Sequence, residues 1–122
     1  MQYIKSVTEA PTHSIIETTA FTRRLKDLGV SAEELASIYD AYASMPDYGK
    51  LVRNTGGLRK GRVAKDATGK SGGYRVFSFY VDIDNPVFLL WLIDKSDDDS
   101  LTDAQENIFR TLTSALKKEL RS

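Results

Sequence analysis

The sequence predicts an α+β fold: a small antiparallel β-sheet packed against an N-terminal helical hairpin, with a C-terminal helix, in the order β-α-α-β-β-β-α. Three observations predict it. Apolar residues recur at helical spacing over residues 21–28, 35–42 and 109–120. Between the second and third stripes the pattern turns extended and rich in β-formers, with glycine and asparagine punctuation. Finally, the second and third stripes each follow a serine or threonine that stands three residues before a glutamate or glutamine, the signature of a capping box.

The elements follow in order. His13-Ser14-Ile15-Ile16-Glu17 reads as a short strand, and residues 1–12 before it have no clear period. Phe21, Leu25 and Leu28 form the stripe of the first helix. Thr18 or Thr19 caps its start, and Gly29 suits its end. Ser31 and Glu34 open a second helix whose buried face is Leu35, Ile38, Tyr39 and Tyr42. Met45-Pro46 stops it, because proline disfavours helix in the residue before it. So short a link between two helices predicts an antiparallel hairpin. Asn54-Thr55-Gly56-Gly57 is a turn, and Leu58 to Lys65 is a strand rich in cations. Asp66 to Gly72 reads as a polar, flexible hairpin loop, and Gly73 to Asp82 as a second strand. Val87 to Ile93 is unbroken apolar, the mark of a strand covered on both faces, with Trp91 in the core. The last helix starts at Thr102, with Gln105 as capping partner. Phe109, Leu112, Leu116 and Leu120 give its stripe, and Lys117, Lys118 and Arg121 offset the dipole at its end.

With 122 residues, 41% hydrophobic and 28% charged, the chain reads as one domain over 1–122, residues 1–12 being an unassigned extension. It has no cysteine, which excludes disulfides, iron–sulfur clusters, thiolate zinc sites and cysteine nucleophiles. Its one histidine, His13, rules out a multi-histidine metal centre and would have to serve any Ser-His-Asp triad. No apolar run approaches a membrane span, and the first residues lack a signal-peptide stretch. The expected location is the cytoplasm, with no membrane partner and no cofactor.

The formal net charge is zero, but the charges are segregated. Residues 53–75 hold seven cations (Arg53, Arg59, Lys60, Arg62, Lys65, Lys70, Arg75) against Asp66 alone, and residues 76–109 hold Lys95 against eight acids. A basic block is either a phosphate-binding surface or a solvated loop. Sharper motifs fail. Gly69-Lys70-Ser71 imitates the end of a P-loop, but Ala64 stands where the first glycine belongs and a strand follows instead of a helix. A calcium loop counted from Asp94 would put Asp99 and Gln105 where glycine and glutamate are needed. Asp82 and Asp84 bracket a turn rather than forming a catalytic pair.

Strand alternation puts Lys60 and Arg62 on one face, with Arg75 across the hairpin. Three converging cations can hold a phosphodiester and stabilise the charge that develops when it is cleaved. A cationic sheet face open to solvent is the competing reading.

The runs Thr55-Gly56-Gly57-Leu58-Arg59-Lys60-Gly61-Arg62-Val63-Ala64, Gly69-Lys70-Ser71-Gly72-Gly73-Tyr74-Arg75-Val76 and Asp99-Ser100-Leu101-Thr102 closely resemble the HigB branch of the RelE/ParE toxin superfamily, over about residues 13–120. The resemblance implies a RelE-like fold and the toxin of a type II toxin–antitoxin module. Such toxins are silenced by a cognate antitoxin, often one with a helix-turn-helix domain. RelE-like and HigB-like members cut messenger RNA on the ribosome, whereas ParE-like members poison DNA gyrase; a non-toxic remnant that only binds a partner is the third alternative. By motif position the resemblance implies Lys60, Arg62 and Arg75 as catalytic cations of a metal-free endoribonuclease (an mRNA interferase). Arg59, Lys65, Lys70, Tyr74 and Lys95 are expected to accompany them as RNA-binding residues. The chain departs from the family pattern at Ser96, where a further arginine is common, and at Leu101 and Thr102, where some members have a tyrosine. Asp94 is expected to put a carboxylate beside the site.

Overall fold

Local signals start each helix. Thr18 caps the first, its hydroxyl accepting from the Phe21 amide at 3.2 Å. Ser31 and Glu34 cap the second reciprocally, at 3.1 and 2.9 Å, and Thr102 and Gln105 do the same for the last. Gly29, at φ 66°, ends the first helix in the left-handed region that glycine tolerates. A computed structural model describes residues 13–64, 73–94 and 100–121. Its elements are β1 (Ile15–Glu17), α1 (Thr19–Asp27), α2 (Ala32–Ser44), β2 (Lys50–Leu51), β3 (Leu58–Ala64), β4 (Gly73–Phe79), β5 (Val87–Asp94) and α3 (Asp103–Arg121). The α+β order expected from the sequence holds. The extension 1–12 and the loop Asp66–Gly72 lie outside the described residues.

The strands form one sheet in the order β1-β5-β4-β3-β2. Two features differ from the expected antiparallel sheet. β1 pairs parallel to β5, because a long crossover through the helical hairpin separates them and allows it. The two-residue β2 adds an edge beside Arg59 and Lys60, too short to show any period. Alternate residues of β4 divide the interior. Tyr74 and Val76 join Phe21, Ile38 and Tyr42 beneath the helical hairpin, while Phe77 and Phe79 join Leu58, Phe88 and the α3 stripe on the other face. β5 contributes to both, with an extra residue, Leu90, where the register against Phe77 and Ser78 shifts. That bulge puts Trp91 and Ile93 on the α3 face beside Leu90.

Beyond β1 the edge of β5 is covered by α1. Thr18 and Arg24 meet the Leu89 and Leu92 carbonyls at 3.1 and 3.0 Å, and the Arg24 guanidinium lies 4.7 Å from the Trp91 ring centre. Such side chains blunt an edge strand that would otherwise template another chain. α3 is held by the loop before β3. The buried Thr113 hydroxyl donates to the Thr55 carbonyl at 2.7 Å, and Arg110 donates to the Asn54 carbonyl at 2.6 Å. The Thr55 hydroxyl in turn donates to the Val52 carbonyl and accepts from the Leu58 amide. The Thr55-Gly56-Gly57 run therefore docks a helix.

Candidate functional site

β3 alternates between the two faces, so Leu58, Lys60 and Arg62 share the α3 side while Arg59, Gly61 and Val63 face the hairpin. Pairing then sets their neighbours. Lys60 lies opposite Lys50 of β2, and Arg62 opposite Arg75 of β4. Directly opposed residues point to the same face, so Lys50, Lys60, Arg62 and Arg75 form two rungs of like charge. The rungs stand about 7 Å apart along β3. Like charges placed directly opposite one another do not stabilise a strand pair. Lys50 and Arg62 are exposed and have no ion-pair or side-chain hydrogen-bond partner among the described residues. These four cations line a cleft of about 490 Å³ together with Met45, Tyr48 and the backbones of Gly49 and Gly61.

The cleft wall is fixed by the loop after α2. Gly49 sits at φ 97°, and a Cβ there would lie 2.7 Å from the Lys60 carbonyl oxygen. Only glycine lets the loop backbone come that close to β3. The Arg59 guanidinium donates to the Gly49 carbonyl at 3.1 Å, and the Tyr48 hydroxyl donates to the Arg62 carbonyl at 2.5 Å. Gly61 leaves room on the hairpin face for Tyr42 and Tyr48, which meet edge to face. The Tyr42 phenol is held above its ordinary range by burial. Tyr48 and Gly49 thus hold the strand that carries Lys60 and Arg62, and both also line the cleft.

The structure brings together Lys60, Arg62 and Arg75, and it separates two other residues expected at the site from them. Arg59 lies on the opposite face, engaged with Gly49. Tyr74 is 1% exposed, also on the opposite face, and its hydroxyl donates to Glu34 at 3.0 Å. Burial, then the Glu34 carboxylate, keeps that phenol protonated well above its usual range. Asp94 pairs across from Tyr74, and its charge helps hold the Tyr74 phenol protonated. Lys65, Lys70, Lys95 and Ser96 lie outside the described residues. Lys50, Tyr48 and Met45 were not legible as site residues, because a two-residue strand carries no pattern that reveals its register.

A second concavity, of about 530 Å³, is lined by His13, Tyr80, Asn85 and Pro86 among others, with no lysine or arginine. His13 approaches the Asn85 carbonyl oxygen at 2.5 Å and the Tyr80 ring edge-on, a clip between β1 and the β4–β5 turn.

The fold and the site define a small α+β protein whose sheet carries a row of cations along one cleft. Residues 13–121 match the family model described as the RelE toxin of the RelE/RelB toxin–antitoxin system. The chain belongs to this family of toxins. No helix among the described residues is long and apolar enough to cross a membrane.

Proposed function

We propose that this toxin is an mRNA endonuclease of the HigB-like branch that acts on the translating ribosome in the cytoplasm. The observation that carries the reading is the Arg62–Arg75 rung, with Lys60 on the same face of the same cleft. In the proposed reaction the ribose 2′-hydroxyl attacks the adjacent phosphate. The 2′-oxygen–phosphorus bond forms, the phosphorus–5′-oxygen bond breaks, and the 5′-oxygen leaves with a proton. Arg62 and Arg75 grip the non-bridging oxygens with planar, forked donors as the phosphate becomes pentacovalent. Lys60 takes or relays the 2′-hydroxyl proton, as a positioned acid–base group does. The ribosome supplies substrate positioning, a large part of the rate enhancement. A cognate antitoxin, with a helix-turn-helix domain and an acidic segment, silences the toxin by covering the cations or locking α3.

Induced expression in bacteria, with growth and pulse-labelled protein synthesis followed together, tests the reading. Wild type stops translation first. Arg75→Ala, at equal expression and still bound to antitoxin, loses about a hundredfold or more of the cleavage rate and no longer stops growth. Retained toxicity removes Arg75 from the site. DNA damage with early translation intact replaces the nuclease by a gyrase poison.

A further inference from the structure

The proposed cleavage chemistry uses three of the four cations and leaves Lys50 without a task. Lys50 is an exposed residue on an edge strand, placed directly opposite Lys60, so that two lysines share one rung. Beside it in the cleft are Tyr48 and Met45, the latter 53% exposed. Met45 caps the end of α2, and Tyr48 is anchored through its hydroxyl to β3. The ledge is therefore fixed relative to the cations.

We propose that Lys50, Tyr48 and Met45 form a subsite for the nucleotide next to the scissile phosphate. Lys50 takes the neighbouring phosphodiester, and the base lies against Tyr48 and Met45. The inference rests on the reading of the cleft as an RNA-cleavage site and adds to it the length of strand the cleft holds. Two charge rungs about 7 Å apart serve two anionic positions, not one. An aromatic and thioether ledge next to a phosphate cation is what a single-stranded polynucleotide needs, since every base offers a flat apolar face. An acidic peptide would use the cations but gain little from that ledge.

The test is binding of short single-stranded RNAs, 2′-O-methylated so that they cannot be cleaved, to purified toxin freed of antitoxin. Fluorescence anisotropy is followed across salt concentrations. For a single strand each lysine–phosphate contact adds about 0.7 to the slope of log affinity against log salt. Lys50→Ala is expected to bind about fivefold more weakly at 0.1 M salt, with a slope shallower by about 0.7, and with an unchanged or higher melting temperature. It also loses the affinity that wild type gains when the RNA is lengthened by one nucleotide. Lys50→Glu binds more weakly still while melting higher, because glutamate opposite Lys60 turns repulsion into attraction. A purely structural Lys50 would move the melting temperature and leave the salt slope alone. Wild-type slope and affinity in Lys50→Ala overturn the subsite and leave the Arg62–Arg75 reading standing. RNA binding with the Lys50 contribution intact, but no arrest of translation by wild type, sustains the nucleotide contact at Lys50 and removes the cleavage reading. If wild type ignores RNA but binds a glutamate-rich peptide through Lys50, the row is a protein-docking surface and the nucleotide subsite is overturned.

Discussion

Replacing Gly49 with alanine attacks the cleft without touching a charge. The new Cβ would meet the Lys60 carbonyl oxygen at 2.7 Å, its carbon at 2.8 Å and the Gly61 nitrogen at 2.9 Å. All three are backbone atoms of β3, so no side-chain rotation relieves the contact. The left-handed backbone costs a residue with a Cβ about 1–2 kcal/mol. Pushing the loop away also weakens the bonds from Arg59 to Gly49 and from Tyr48 to Arg62, each contributing about 1 kcal/mol. The total is about 3–4 kcal/mol, a large part of the 5–15 kcal/mol that typically stabilises a domain, and a fall in melting temperature of about 10 °C or more. Gly29→Ala is the matched control. Gly29 has φ 66°, and a Cβ there would meet nothing within 4 Å, so it carries the backbone cost alone. Thermal unfolding of both variants beside wild type measures the difference directly. If Gly49→Ala melts no lower than Gly29→Ala, the close approach of the loop to β3 is not what holds the cleft wall.

Thr113→Val removes the buried bond from α3 to the Thr55 carbonyl at nearly constant volume. It is expected to cost about 1–3 kcal/mol, read as a lower denaturant midpoint with an unchanged m-value. Tyr39 gives a pH prediction. Burial, then its hydrogen bond to Glu17, raises the phenol from 10.0 to about 12. A raised folded pKa contributes stability that is complete below the unfolded value and lost as pH climbs towards the folded one. Stability should therefore decline between about pH 10 and 12, and Tyr39→Phe should flatten that part of the curve; an identical alkaline slope in the variant would dismiss the coupling.

What was legible in the sequence was local. The Ser31–Glu34 and Thr102–Gln105 caps and the Phe109 to Leu120 stripe are written within a few residues of where they act. Alternation within β3 likewise placed Lys60 and Arg62 together. The same period of two also separates Arg59 from Lys60 and Tyr74 from Arg75, a signal present in the sequence that a reading by charge and motif passes over. Register across strands was not legible. Nothing in Tyr48-Gly49-Lys50 announces that Lys50 will stand opposite Lys60, since that pairing is set by the tight contact of Gly49 with a distant strand. Nor could the parallel seat of β1 be read, because it depends on where the whole crossover returns the chain.

β3 serves two masters at once, Gly61 and Val63 turned to the space under the helical hairpin and Lys60 and Arg62 to the cleft. In a strand, a shift of one residue turns every side chain over. A single inserted or deleted residue between Leu58 and Val63 would therefore send Lys60 or Arg62 into the space beneath Tyr42 and bring Val63 out into the cleft. Substitutions in this segment can be judged one at a time, but its length cannot vary at all. Homologues that align here should show changes of residue without gaps, and a loop graft or tag placed in this stretch should abolish folding and toxicity together.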